Sequence, residues 1–293
     1  MEAIAARVVI RAPGQAWHFL RRWPVIPGVF ITVLTLFAIF PNLIAPYNPY
    51  DGDLAQARIP PFGFREGSLK HIFGTDHVGR DIFSRVVYGA RISLRIAGSA
   101  IGAGLLLGTT VGLVSGYFGS WVDEFFMRLI DAISAVPFIL VGLVAAIVFG
   151  PKESTVLGVM VFGAWGMGAR NVRAETLSLK TRDYVALAKV AGASHLRIVL
   201  RHLLPGVVNT VMVIATLSIG GIIMGEAFLS YMGAGIPSPT PAWGLMTAEG
   251  KDFIAEAWWN SFFPGLAIFI TVMSFNFLGD WTRDRLDPRL RQL

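Results

Sequence analysis

The chain has 293 residues, of which 54% are hydrophobic and only 15% charged, with a formal net charge of +6 and a mean hydropathy of +0.60. Soluble domains carry roughly 25% charged residues, so this balance excludes an ordinary soluble enzyme and points to an all-α polytopic membrane protein, each span needing ~20 apolar residues. Cysteine is absent, which excludes a disulfide framework, a thiol nucleophile and a thiolate metal site.

Residues 1–23 carry Arg7, Arg11, Arg21 and Arg22 against a lone Glu2, with Trp17 and Trp23 as interfacial anchors. A cytoplasmic segment with a short surface helix is expected there. Arg22 leads straight into a full-length apolar run, so no cleavable signal peptide is expected. Residues 24–293 read as one transmembrane domain. Its first span is expected at Pro24–Ala45, with Pro27 in the first turn and Pro41 kinking the far end.

Residues 46–90 form a long extracytoplasmic segment rich in Pro, Asp and Gly. In its last part Ile82, Phe83, Val86 and Val87 predict an amphipathic helix lying on the outer interface before the chain enters the membrane. The second span is expected over Ile92–Tyr117. Gly104, Gly108, Gly112 and Gly116 recur every four residues along it, a stripe without side chains that lets another helix approach closely.

A cytoplasmic turn and helix follow over Tyr117–Pro137, with Asp123, Arg128 and Asp131 spaced for ion pairs. The third span is expected at Ala132–Phe149 and the fourth at Ser154–Ala169. Residues 170–206 then hold Arg170, Arg173, Lys180, Arg182, Lys189, Arg197 and Arg201 against only Glu175 and Asp183, an excess that fixes this loop in the cytoplasm. Inside it, Tyr184, Ala188 and Ala191 recur at helical spacing until Gly192 interrupts them. Leu196, Val199, Leu200 and Leu203 resume the spacing until Pro205. The expectation is a short helix, a glycine break, a second helix and a proline stop: a compact knob suited to plug into a soluble partner.

The fifth span is expected at Val207–Met232. An outer, partly re-entrant loop carries Trp243 and Trp258–Trp259, the sixth span covers Ser261–Leu278, and a tail with Arg283, Arg285, Arg289 and Arg291 returns to the cytoplasm. Six spans with both termini inside is the arrangement consistent with the basic residues.

Little in the chain suggests chemistry. There is no phosphate-binding loop of the Walker type, no metal-ligand spacing among the five histidines, and no nucleophile–base pair. The chain is expected to be a non-catalytic subunit that holds no cofactor or metal of its own and binds no nucleic acid. Glu226 is the one carboxylate deep in an expected span, and a charge buried in lipid needs either a partner or a water-filled cavity. It is therefore a candidate for the transport pathway or its gate, with a hydrogen-bonded clamp between helices as the alternative.

The stretch Asp183–Pro205, DYVALAKVAGASHLRIVLRHLLP, resembles the EAA loop of bacterial ABC importer permeases: Glu-Ala-Ala, three residues, Gly, nine residues, Ile-x-Leu-Pro. Ala188, Gly192, Leu204 and Pro205 match that pattern. Ala186 stands where the family has Glu, Leu187 where it has the first Ala, and His202 where it has Ile. Further phrases, among them Gly74-Thr75-Asp76, Gly79-Arg80-Asp81, Glu226-Ala227, Trp243-Gly244 and Gly279-Asp280, are similar to the subfamily that serves dipeptide, oligopeptide and nickel importers.

The resemblance implies a machine of five subunits in the inner (cytoplasmic) membrane of a prokaryote. This chain pairs with a second, related permease, with two cytosolic ABC ATPases that carry the ATP and Mg²⁺, and with an extracytoplasmic substrate-binding protein. It implies that Ala186, Leu187, Ala188, Gly192, Ala193, His202, Leu204 and Pro205 couple the ATPases to the spans. Asp76, Arg80, Asp81 and Trp243 are implied candidates for docking the binding protein, with ion pairing inside the loop as the alternative for the charged three. The implied cargo is a di- or oligopeptide, with nickel chelates or oligosaccharides as alternatives. An ion-coupled secondary transporter is the competing class, and it predicts more intramembrane ionisable groups than the expected spans hold.

Overall fold

The computed structural model describes residues 24–286, so the surface helix expected within residues 1–23 and the last residues of the basic tail lie outside the described residues. Among the described residues the secondary structure is helical, with one isolated bridge between Thr75 and Asp81 and no strand. The helices are α1 (Val25–Ile39), α2 (Pro41–Ile44), α3 (Ile82–Phe118), α4 (Ser120–Ser134), α5 (Phe138–Phe149), α6 (Glu153–Leu179), α7 (Asp183–Val190), α8 (His195–Ile198), α9 (Leu204–Tyr231), α10 (Trp243–Lys251) and α11 (Trp259–Leu286).

Three helical segments are each long and apolar enough to cross a membrane: α3, the continuous stretch His195–Tyr231, and α11. Helices α4 and α5 pass the same test only together, and they are bent by 81° at the break between them. The break falls at residues 135–137 because Pro137 has no N–H to continue the ladder and disfavours helical geometry at Val136. The third span expected from Ala132 is thus two helices meeting at an elbow. Likewise α1 ends at Ile39, since Phe40 precedes Pro41 and leaves the helical region. Arg91 closes that end by donating to the carbonyls of Ala38 at 2.7 Å and Ile39 at 2.9 Å.

Two expectations are corrected by helices longer than foreseen. The outer interfacial helix and the second span are one rod, α3, whose 37 residues extend about 55 Å at 1.5 Å per residue. Asp81 caps it by accepting from the Ser84 N–H at 2.8 Å, and no proline interrupts it. The fourth span does not stop near Ala169, because α6 continues to Leu179. Two arginines of this extension find partners on α4: Arg170 donates to Asp131 at 2.5 Å, and Arg173 forms a two-pronged pair with Asp123.

The central packing is α3 against α6, and the glycine stripe makes it. A Cβ placed at Gly108 would lie 2.5 Å from the Trp165 carbonyl oxygen, and one at Gly112 2.7 Å from that of Ala169. At Gly104 and Gly116 it would meet the side chains of Ala164 and Thr176 at 2.7 Å. The two backbones touch because those four side chains are missing. Around this pair α9, α10 and α11 complete the main core, with Ile96, Val156, Met160, Ile223 and Trp243 buried in it. A second, smaller core of Leu113, Val172, Val185, Ile198, Leu203 and Val207 lies where α7 and α8 fold onto the ends of α3 and α6.

Candidate functional site

The knob built by α7 and α8 is the first candidate site. Helix α7 carries Asp183 in its first turn and Lys189 in its last, matching the helix dipole. It ends in the paired bonds of a Schellman motif: the Gly192 N–H donates to Lys189 O at 3.0 Å, and the Ala193 N–H to Ala188 O at 3.0 Å. That geometry needs a residue at positive φ, and Gly192 supplies it at φ 76°. Ser194 then caps α8 by accepting from the Arg197 N–H.

Pro205 does not stop the second helix. Residues Val199–Leu203 form a π turn in which the Leu204 N–H reaches back five residues to Val199 O, and the helix runs through Pro205 into α9. The wider turn relieves the proline of the i→i−4 bond it cannot make. The knob is therefore rigidly continuous with a membrane-spanning helix.

Its inner face is fixed by Val185, Ile198, Leu203 and Val207, each buried. The Tyr117 hydroxyl lies 2.7 Å from His195 Nδ1, and Lys180 Nζ donates to Gly116 O at 2.8 Å. Outward, Leu187 is 68% exposed, Val190 87% and Leu196 69%, with Tyr184 and Leu200 beside them. The buried face is thus the one through Val185, rather than the one through Tyr184 and Ala191 that the spacing suggests. Among the expected coupling residues, Ala186, Leu187, Gly192 and Pro205 are exposed, whereas Ala188, Ala193, His202 and Leu204 are half-buried. Sequence reasoning missed Val190 and Leu196 as tips of the knob.

A polar node closes the opposite end of the molecule. Arg80 Nε donates to Asp76 at 2.6 Å, and Arg80 and Arg85 each donate to Glu249 at 3.1 Å. His71 bridges Asp81 at 2.9 Å and Gln56 at 3.1 Å, while Trp243 Nε1 donates to Val86 O at 2.9 Å. Asp76, Arg80, Asp81 and Trp243 are all buried. These four side chains lie beneath the surface and tie the outer segment to α3 and α10. Glu249, the missed member, lies 164 residues from Arg85, so no local pattern links them. Ligand atoms of Asp76, His77 and Glu249 lie within 4.8 Å of one another, yet both carboxylates are already engaged by guanidinium groups that would repel a cation.

The third feature is a cavity of about 650 Å³ inside the α4–α5 elbow, walled by α6 and α9. Phe138, Met160, Met167, Ser218 and Gly221 are among its lining, which among the described residues includes no charged side chain and two hydroxyls, those of Ser134 and Ser218. Glu226 does not line it. That residue is 1% exposed, and it accepts from the Ser230 Oγ–H at 2.8 Å while Ser230 Oγ accepts from the Ile236 N–H at 3.2 Å. The arrangement ties the end of α9 to the turn that follows it, within one helix and its turn rather than between two helices. The second carboxylate oxygen has no partner among the described residues.

Comparison with known proteins places these features in a family. Residues 108–292 match the family described as binding-protein-dependent transport system inner membrane component. The chain is 38% identical over 293 residues to the dipeptide transport system permease protein DppC of Escherichia coli, covering 99% of this chain and 98% of that one. It is 36% identical over 264 residues to the protein of the same name from Alkalihalophilus pseudofirmus, covering 90% and 84%. A putative peptide transport system permease protein of Brucella suis is 38% identical over 259 residues, covering 88% and 86%. Among solved structures, the fold is similar to an inward-facing MetNI methionine ABC transporter, with a TM-score of 0.57 at 18% identity, covering 69% of this chain and 96% of that chain. An amino acid ABC transporter aligns with a TM-score of 0.52 at 14% identity, covering 72% and 95%.

Proposed function

We propose how this chain works from one premise: it belongs to the family of binding-protein-dependent transport system inner membrane components and is a permease of a peptide importer of that kind. In our reading it contributes one half of the translocation pathway and pairs with a second, related permease. Two cytosolic ABC ATPases bind ATP and Mg²⁺ and drive it, and an extracytoplasmic binding protein delivers cargo to the face closed by the Asp76–Arg80–Arg85–Glu249 node. The chain itself is non-catalytic. Six spans are read as α1, α3, the bent pair α4–α5, α6, the helix ending at Tyr231, and α11. Both termini are placed inside because residues 170–206 are strongly basic. The cargo is read as dipeptides or short oligopeptides, which the names of the relatives favour.

The observation that carries the mechanism is the continuity of the knob with α9. An ATPase groove closing on Leu187, Val190 and Leu196 moves a body whose Schellman turn and cap leave no loose joint. The motion passes through the π turn into α9. Ser218 and Gly221, some 14 to 17 residues beyond Leu204 and so roughly 21–26 Å along the helix, carry it to the cavity wall. Hydrogen bonds within the helix make it stiff on that length scale.

The test is reconstitution of the complex in proteoliposomes with the binding protein outside. Uptake of dialanine is expected to require ATP, both permeases and the binding protein. Replacing Leu187 or Val190 by Asp is expected to abolish uptake while leaving the permease pair intact. Uptake by this chain without ATPases would overturn the reading.

A further inference from the structure

We propose that Phe138 sets the largest cross-section of cargo that this chain's half of the pathway admits, an inference that rests on the cavity's being that pathway. The ring stands at the α4–α5 elbow, directly after Pro137, and lines the 650 Å³ cavity. It is wedged between two helices by opposite edges. A Cβ built at Gly163 of α6 would lie 3.0 Å from Phe138 Cε2 and 3.1 Å from Cδ2, and one at Gly225 of α9 would lie 3.5 Å from Cε1. The ring thus spans the gap between α6 and α9, resting on bare backbone at one end and within ordinary contact at the other.

Both seats are glycines, which present no side chain of their own to the ring. The helix that carries it is held independently. One turn along, Leu229 of α9 packs onto Gly142 of α5, where a Cβ would meet Leu229 Cδ2 at 2.5 Å, and Leu229 is fully buried. Phe138 and Gly142 face Gly225 and Leu229 as reciprocal large and small partners. The Leu229 pair anchors the helix whatever stands at position 138. With no charged side chain among the described lining residues, shape is the property by which this wall discriminates, and Phe138 is the ring held between α6 and α9.

The chain has no cysteine, so in a single Ser218→Cys variant all label found on this chain reports on the cavity. Ser218 lies two turns before Gly225 on α9, and in the proposed orientation an external reagent passes the Phe138 ring to reach it. The experiment uses spheroplasts that express the whole complex. A small aminoethyl methanethiosulfonate and a bulky, impermeant biotinylated one are added outside, and labelling rates and dialanine uptake are followed.

Labelling is expected to block uptake. Phe138→Ala is expected to raise the bulky-to-small rate ratio about tenfold, the lower end of what a methylene-sized difference achieves in an apolar pocket. Phe138→Leu should fall between, and Phe138→Trp should lower the ratio below wild type. A ratio unchanged in all three variants, with labelling still blocking uptake and the complex assembled, overturns the role of Phe138. Uptake that survives full labelling of Ser218→Cys overturns the pathway reading itself.

Discussion

Adding a single methyl group to the glycine stripe tests whether α3 and α6 associate by backbone contact. At Gly108 the new Cβ would sit 2.5 Å from Trp165 O, 2.9 Å from Ala169 N and 3.2 Å from the carbonyl carbon of Gly168. The first distance is about 0.9 Å short of the 3.4 Å at which ordinary contact begins, and all three atoms are backbone. No rotamer change relieves the clash, so the helices must separate and forfeit contacts along the whole crossing. Overpacking of this kind costs about 1–3 kcal/mol, set against a gain of roughly 1 kcal/mol from replacing Gly by Ala in a helix. Gly102, on the same helix, is the control, because a Cβ there meets nothing within 4 Å. Gly102→Ala is therefore expected to be neutral or stabilising, and Gly108→Ala to be less stable than it by about 1–3 kcal/mol. Thermal unfolding of the detergent-purified permease pair, read by loss of monodispersity and of tryptophan fluorescence, measures the difference. If Gly108→Ala proves as stable as Gly102→Ala, the close-packing argument is wrong.

At the knob, Gly192→Val should lower peptide uptake per ATP hydrolysed, since a β-branched residue resists positive φ, while Gly192→Asn, which tolerates that region, should restore most of it; equal coupling in the two would refute the Schellman argument. Glu226→Gln keeps an acceptor for Ser230 and is expected to preserve both assembly and uptake, whereas Glu226→Leu should weaken the complex by about 1–3 kcal/mol because the buried Ser230 hydroxyl loses its acceptor. An intact complex with Glu226→Gln and no uptake would return Glu226 to the pathway. Arg85→Met strips Glu249 and Asp76 of a buried guanidinium and should cost about 3–5 kcal/mol, seen as loss of assembled complex from the membrane fraction. Normal yield and melting temperature in that variant would argue that the outer node is dispensable.

Much of this protein is legible without coordinates because the relevant signals are local and periodic. The membrane class follows from composition, and the spacing of Gly104, Gly108, Gly112 and Gly116 marks a helix face that must be touched closely. A glycine between two helical patterns marks Gly192 as the bend of the knob. The break at Phe40 follows from the proline after it, whereas the break before Pro137 falls inside a span read as continuous, and its 81° bend depends on what the two helices pack against.

What the sequence determined by itself, then, is the membrane class, the helix face that packs through glycine and the bend at Gly192, all governed by interactions within a turn or two. Tertiary structure decided the rest. Pro205 reads as a stop, but burial of Leu203 and Val207 in the small core holds the chain in a π turn that carries the helix onward. Asp76, Arg80 and Arg85 read as charges with partners only within their own outer segment, but Glu249, remote in the chain, pairs with both arginines. Phe138 reads as one more apolar residue of a span, but only the meeting of α5, α6 and α9 sets its ring across a gap between two glycines. In each case the deciding partner is distant in sequence, and the energy that selects the conformation exists only once the helices have met.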